Sequence, residues 1–370
     1  MTPELARGII CHKALEDVFE LAPPQRTLDN LQNLFRKEWS EKRGNREQQQ
    51  QQQQQQGEQS ANDTGNDSSS ESYDSLFRID DDPLATNNAS SSHYDIDAEI
   101  EWGKSSLQLL KNYYELEDPR NATPLVREMW VNAKFPADTN ESDLSEFVVR
   151  GKIDRIDALS SNNHQQGTTI LRIIDYKTGK KPNFKYSTAT NERIANEQFW
   201  KMKVYALVLW KMILQSEAME EQQMQSQQEN QKVDYRYGLS WELRQKLLQN
   251  MGCESEQQSL KWSQLLSVDS LRLMYLTSHL DDMAANYNAP PEAVSGKAKY
   301  LDFSLNENES MPFLDFLEQM EQEIISIQRQ IKDLVDMQDP KVFHHCNWKY
   351  CSCHEMRARF EPSSVSDQIV

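Results

Sequence analysis

The chain has 370 residues, with 58 Asp and Glu against 40 Lys and Arg, a formal net charge of −18 and 37% hydrophobic residues. Its mean hydropathy of −0.81 is too low for every segment to join a packed core, and no run of about eighteen apolar residues exists, which excludes a helical membrane span. Such a length holds one large or two ordinary domains. The start, Met1-Thr-Pro-Glu-Leu5, has neither an apolar signal core nor an Arg- and Ser-rich transit pattern, so the chain as written is expected to be intracellular and soluble. A late start codon would have removed a targeting signal, which leaves nucleus or organelle open.

Apolar spacing predicts helices over 6–21 and 27–42. Residues 44–93 contain nine consecutive glutamines at 48–56, then Asn, Asp and Ser in abundance. That composition buries too little apolar surface to offset its ordering entropy, so the segment is read as a disordered insertion within one domain. A helix over 97–117 follows, then strands over 126–135, 146–157 and 169–176. Helices at 191–215 and 239–250 flank a second polar insertion at 216–232, and strands at 271–277 and 299–304 precede a helix over 310–336. In that helix, Leu314 to Leu334 spaces apolar residues for packing and not for a cofactor. Three strands, a helix and another strand imply an α/β fold with a mixed central sheet flanked by helices, formed by residues 1–43 and 94–356 together. Residues 343–356 are a Cys- and His-rich tail, and 357–370 are expected to be disordered.

The chemistry concentrates in Gly151-Lys-Ile-Asp-Arg-Ile-Asp157 and Ile173-Ile-Asp-Tyr-Lys-Thr-Gly179. Side chains alternate across a strand, so Asp175 and Lys177 project from one face and Tyr176 from the other. If the two strands pair as a hairpin, Asp154 and Asp175 meet at one end of the sheet with the lysine beside them. Two carboxylates suit Mg2+ or Mn2+, which generates a nucleophile from water and neutralises charge building on a phosphate. Lys177 would orient or deprotonate the water, or stabilise the developing charge. The same residues could also be a solvated strand face, but the two segments together are more specific than either alone. Residues 46–99 carry twelve acids against Arg46 and Arg78, whereas 150–205 carry eleven Lys and Arg against five acids. The negative total therefore leaves room for DNA as a partner. A solvated helix face accounts for those lysines equally well.

Gly151-Lys-Ile-Asp-Arg and Asp175-Tyr-Lys-Thr-Gly-Lys resemble the nuclease motifs of the RecB-like branch of the PD-(D/E)XK superfamily, which includes bacterial recombination helicase–nucleases and CRISPR adaptation nucleases. Gly8-Ile-Ile-Cys-His12 resembles that family's histidine-bearing helix, and Arg127-Glu-Met-Trp-Val131 its glutamate strand. The resemblance implies a restriction-endonuclease-like core, with His12, Glu128, Asp154, Asp175 and Lys177 as catalytic set and His12, Asp154 and Asp175 as metal ligands. Two departures stand out. Where the family helix carries Gln-x-x-x-Tyr, this chain has Lys201-Met-Lys-Val-Tyr205; Gln198, two helical turns from Tyr205, would substitute only in a shifted helix. The family segment ahead of the histidine helix, often with a cysteine, is expected to be absent or lost with the start codon. Substrate contacts are expected from Lys201, Lys180, Lys181, Tyr205 and Arg155, although Tyr205 also reads as a core tyrosine and Arg155 as an ion-pair partner of Asp157.

The tail Phe343-His-His-Cys-Asn-Trp-Lys-Tyr-Cys-Ser-Cys-His354 groups Cys346, Cys351 and Cys353 among three histidines. Thiolates so dense select zinc or an iron–sulfur cluster. The resemblance implies a [4Fe–4S] cluster with Cys11 as fourth ligand; Zn2+ through three cysteines and a histidine is the alternative, as is a tail that binds nothing. Five cysteines, odd in number and three of them clustered, argue against a disulfide framework. The sequence thus points to a metal-dependent DNA exonuclease of recombination or repair. The alternative is a catalytically inactive member of the same fold that binds nucleic acid or a partner. No phosphate-loop motif is present, so unwinding would need a separate helicase subunit.

Overall fold

The computed structural model describes residues 1–55, 73, 76–80, 92–136, 146–159, 169–182, 184, 186–225, 237–251, 261–277, 300–305 and 313–337. Two compact units divide the chain: Met1–Lys134 with Val148–Leu317, and Phe135–Phe147 with Glu318–Val370.

In the larger unit, helix α1 (Pro3–Asp17) begins where Thr2 Oγ1 accepts from the Leu5 N–H at 3.3 Å. Pro3 takes the first helical position, where a missing N–H leaves nothing unpaired. Ala6, Ile10, Cys11, Ala14 and Leu15 form its buried face. Helices α2 (Leu28–Gln55) and α3 (Ile96–Leu116) join it through Leu31, Phe35, Trp102, Leu110 and Tyr113 in one apolar cluster, which also takes Ile174, Tyr176, Met274 and Leu276. Short strands β1 (Arg78–Asp80) and β2 (Ser92–Tyr94) pair antiparallel as a separate ribbon.

The main sheet runs in the order β3 (Pro124–Phe135), β4 (Phe147–Leu159), β5 (Thr169–Lys177), β6 (Leu266–Tyr275), β7 (Leu301–Ser304). The hairpin expected between the two motif strands forms: β4 and β5 are antiparallel, with Arg155 opposite Ile174. Strands β5 and β6 are parallel and β6 and β7 antiparallel, so the sheet is mixed. A parallel neighbour requires a long crossover, which α4 (Thr188–Gln225), α5 (Trp241–Asn250) and α6 (Trp262–Leu265) supply. Central β5 reads as a nearly continuous apolar run because both its faces are covered, and Leu171, Ile173, Ile174 and Tyr176 are all buried. Among the described residues no helix is long and apolar enough to cross a membrane.

Three elements depart from the sequence expectations. Helix α2 continues through Gln55 into the glutamine run, because adding a residue to a formed helix is far cheaper than nucleating one and glutamine is a fair helix former. The far end of the expected insertion also joins the core: Phe77 is buried against Trp39, Tyr94 and Trp102, and Tyr73 packs on Trp39. Helix α4 likewise runs through Glu217 and Glu220 into the second expected insertion. Polarity there reflects pairing inside the fold. Buried Ser216 accepts from the Leu239 N–H at 2.7 Å, Glu217 accepts from the backbone N–H and hydroxyl of Ser263, and Glu220 pairs with buried Arg244 at 2.6 Å. The remainder of both insertions and the whole tail from residue 338 lie outside the described residues.

In the smaller unit Phe135 stacks on Phe147 with ring centroids 5.5 Å apart. Helix α7 (Phe313–Asp336) crosses from one unit to the other in sequence; Leu317, Met320 and Ile324 are buried, whereas Ile331 and Val335 at its end are exposed.

Phe77→Ala is expected to cost about 3–5 kcal/mol, the range for emptying a buried aromatic site. Deleting 56–72 should change stability little, since closure entropy depends weakly on loop length. Denaturant melts of the two variants measure this, and equal stabilities would show that Phe77 anchors nothing.

Candidate active site

Three strands and two helices converge on a group of ionisable side chains. Asp154 lies one step beyond the Arg155–Ile174 pair of the β4–β5 ladder, and its Oδ2 accepts the Tyr176 N–H at 2.8 Å. The same oxygen lies 3.5 Å from His12 Nδ1 on α1. Helix α1 approaches the β5 turn closely, for a Cβ added at Gly8 would touch Thr178 Oγ1 at 3.5 Å. Glu128 on β3 completes the group: ligand atoms of His12, Glu128 and Asp154 all lie within 4.8 Å of one another, a spacing that fits a metal ion. The backbone at Glu128 has φ +48°, a left-handed conformation rare outside glycine that interrupts the strand's alternation.

Asp175 sits beside this group, 3% exposed, between two cations. Lys177 Nζ is 2.7 Å from Oδ2 and Lys201 Nζ is 3.1 Å from Oδ1. Asp175 Oδ2 nevertheless accepts no hydrogen bond of good angle and keeps acceptor capacity in reserve, which suits a site built for a cation. Lys201 also lies over the Tyr205 ring at 5.1 Å. That ring closely approaches Gly151, where a Cβ would come within 2.3 Å of Tyr205 Cε1. The glycine of the first motif is therefore a steric requirement of the tyrosine on α4.

Burial would push the His12 imidazole down, but Asp154, with Asp175 and Glu128 beyond it, outweighs burial and raises its pKa above 6.5. For Asp154 burial acts upward and loses to His12, the Tyr176 N–H and Lys201, so its pKa falls below 3.8. Burial would lower Lys201, yet Asp175 and Tyr205 hold it above its ordinary value and fully charged.

His12, Glu128, Asp154, Asp175, Lys177, Lys201 and Tyr205 thus lie near one another, but the group spaced to hold an ion is His12, Glu128 and Asp154, with Glu128 where the sequence reading had Asp175, which pairs with the two lysines instead. Arg155 does not join them. It is 1% exposed, bound to Glu117, to Asp157 at 2.6 Å and to the Tyr176 hydroxyl at 3.2 Å, and it can reach no phosphate. Lys180 is exposed and Lys181 half-buried on the turn after β5. Cys11 is buried in the apolar cluster, and burial pushes its thiol up to about 12, the state of a small hydrophobe and not of a cluster ligand. Cys346, Cys351 and Cys353 lie outside the described residues. Gln198 accepts from the Tyr275 hydroxyl at 2.7 Å and does not contact the acids. Sequence reasoning missed Lys152, which reaches Glu128 at 2.5 Å. Its place two residues before Asp154 on one strand was the available signal.

A mixed sheet thus gathers a histidine, three acids and a strand lysine at one end, an arrangement that can hold a divalent ion beside a cation. The family profile of the PD-(D/E)XK nuclease superfamily matches residues 1–355, and the chain belongs to that superfamily. Members are typically nucleases that use divalent metals, with DNA as the substrate the superfamily implies. No curated protein and no solved structure matches the chain significantly.

The His12–Asp154 pair sets a pH dependence for the metal-free protein. A raised histidine pKa adds stability that is fully present below 6.5 and lost as pH rises through the folded value; the lowered aspartate pKa adds stability present above 3.8 and lost in more acid solution. Thermal stability in chelator should therefore hold between these values and decline above 6.5, and His12→Gln should flatten that decline. Parallel wild-type and variant profiles would contradict the pairing.

Proposed function

We propose that this chain is an Mg2+- or Mn2+-dependent deoxyribonuclease, an exonuclease of the RecB-like type that acts in recombination or repair. What supports the reading is the convergence of His12, Glu128 and Asp154 within 4.8 Å, with Asp175 and Lys177 alongside. These residues would hold the ion through carboxylate oxygens and a neutral imidazole, a donor set that fits a hard divalent cation with one nitrogen ligand. When bound, the ion supplies Lewis-acid neutralisation of the phosphate and a nucleophile from water at neutral pH.

The chain's own residues do the rest. Lys177, half-buried and fixed by Asp175, orients the attacking water and places positive charge at the phosphate. Lys201 holds the other Asp175 oxygen, so that the carboxylate cannot rotate away. Tyr205 walls the site against Gly151, and Lys180 on the turn carries charge toward the departing strand. The same cluster argues against an inactive member, because every acid and the strand lysine persist in contact geometry. Unwinding of duplex would come from a separate helicase chain.

Asp175→Ala and Lys177→Ala should each lower divalent-dependent cleavage of end-labelled linear DNA by about 10²–10⁴-fold while the melting transition persists. Linear and circular substrates compared side by side separate exonuclease from endonuclease. Wild-type cleavage by either variant, with contaminating nuclease excluded, would overturn the assignment.

The tail is proposed to bind iron as a [4Fe–4S] cluster, or Zn2+, through Cys346, Cys351 and Cys353, without Cys11. Elemental analysis after anaerobic purification should find one of these metals in proportion to protein, and visible absorbance would select iron–sulfur. Neither metal, or undiminished metal in the triple serine variant, would remove the tail from the account.

A further inference from the structure

One residue beside the cluster has no role in holding an ion or in the core. Trp130 on β3 is 67% exposed, the most exposed of the large apolar side chains among the described residues. A lone exposed ring means little on its own. This one is tied to the active site by its neighbour: Lys152 Nζ pairs with Glu128 Oε2 at 2.5 Å and lies over the Trp130 ring at 6.0 Å. Glu128 is itself one of the three clustered ligands. Alternation along β4 returns Arg150, also exposed, to the side of the strand that carries Lys152, about 7 Å further out. An open aromatic face and two cations therefore lead outward from the acids on adjacent strands.

We propose that Trp130 is a base-stacking platform that seats an unpaired nucleotide of the substrate next to the cluster, with Lys152 and Arg150 taking the neighbouring phosphates. An internal base of a duplex has both faces covered by its neighbours, so away from duplex ends only a single-stranded segment offers a face to this ring. Stacking of bases on aromatic side chains along a basic track is the physics of sequence-tolerant single-strand binding. Charge complementarity selects the same occupant, since Lys152 and Arg150 suit a phosphodiester backbone and repel a basic peptide. Trp130 is thus a specificity-determining residue, selecting strand form and not base sequence. The inference deepens the nuclease reading, yet its test needs no cleavage.

The experiment measures binding of a fluorescent single-stranded oligonucleotide to full-length protein in chelator, where no hydrolysis occurs. Trp130→Ala should weaken binding about 5- to 150-fold, Trp130→Phe should restore most of it, and the melting temperature should not move, since the ring is exposed. On an abasic oligonucleotide of equal length, wild type and Trp130→Ala should bind alike. A covalently closed duplex should also bind the two alike. Unchanged affinity of Trp130→Ala, or an equal loss on the abasic strand, would overturn the proposal. Because Asp175→Ala tests cleavage and this assay tests binding alone, either reading can fail without the other.

Discussion

The hydrogen bond from the Tyr176 N–H to Asp154 Oδ2 is the contact on which the site depends. It falls where the β4–β5 ladder would place its next backbone pair, and a side-chain carboxylate takes the donor instead. Asp154 is thereby fixed to the backbone of the strand that carries Asp175 and Lys177. His12 reaches the same Oδ2, so neither contact engages Oδ1. The helix, the hairpin and the second acid share one anchoring oxygen. Buried N–H groups must find acceptors, and here that requirement holds an acid in place for function.

Charge balance is the second constraint. Asp175 is nearly inaccessible, and a carboxylate removed from water stays ionised only with compensation. Lys177 and Lys201 supply it, one on each oxygen. A neutral amide at position 201 would leave one oxygen with a weaker donor, so the lysine is a substitution with a physical consequence: each Asp175 oxygen has its own cation. The chain total of −18 is irrelevant to this local field.

Much of this was legible in residues. Alternation on β5 separated Asp175 and Lys177 from Tyr176, and the apolar runs located the four longer strands of the sheet. Arg155 was less readable, because a basic residue beside a motif acid looks the same in sequence whether it faces a phosphate or Glu117. Its partner lies 38 positions away on α3's end, and only the fold reveals the pairing. Phe77 was hidden for another reason: a single aromatic in an acidic, serine-rich stretch carries no periodicity, yet it packs among Trp39, Tyr94 and Trp102. Glu217 and Glu220 misled similarly, since acids that pair inside a fold raise local polarity just as solvated ones do.

Register makes fold and site inseparable. Side chains of β5 alternate between the apolar cluster, which receives Ile174 and Tyr176, and the ionisable group, which receives Asp175 and Lys177. A slip of one residue against β4 would drive both charges into the cluster and turn Tyr176 toward the acids. Tyr176 resists such a slip, with its hydroxyl accepting from Arg155 at 3.2 Å and its ring edge-on to both His12 and Tyr113. The buried Arg155 network is therefore a positioning device: it touches no substrate, but it secures the tyrosine whose backbone N–H holds Asp154 in place. The site's geometry is accordingly decided on the core side of the strand, by residues that never meet the reacting atoms.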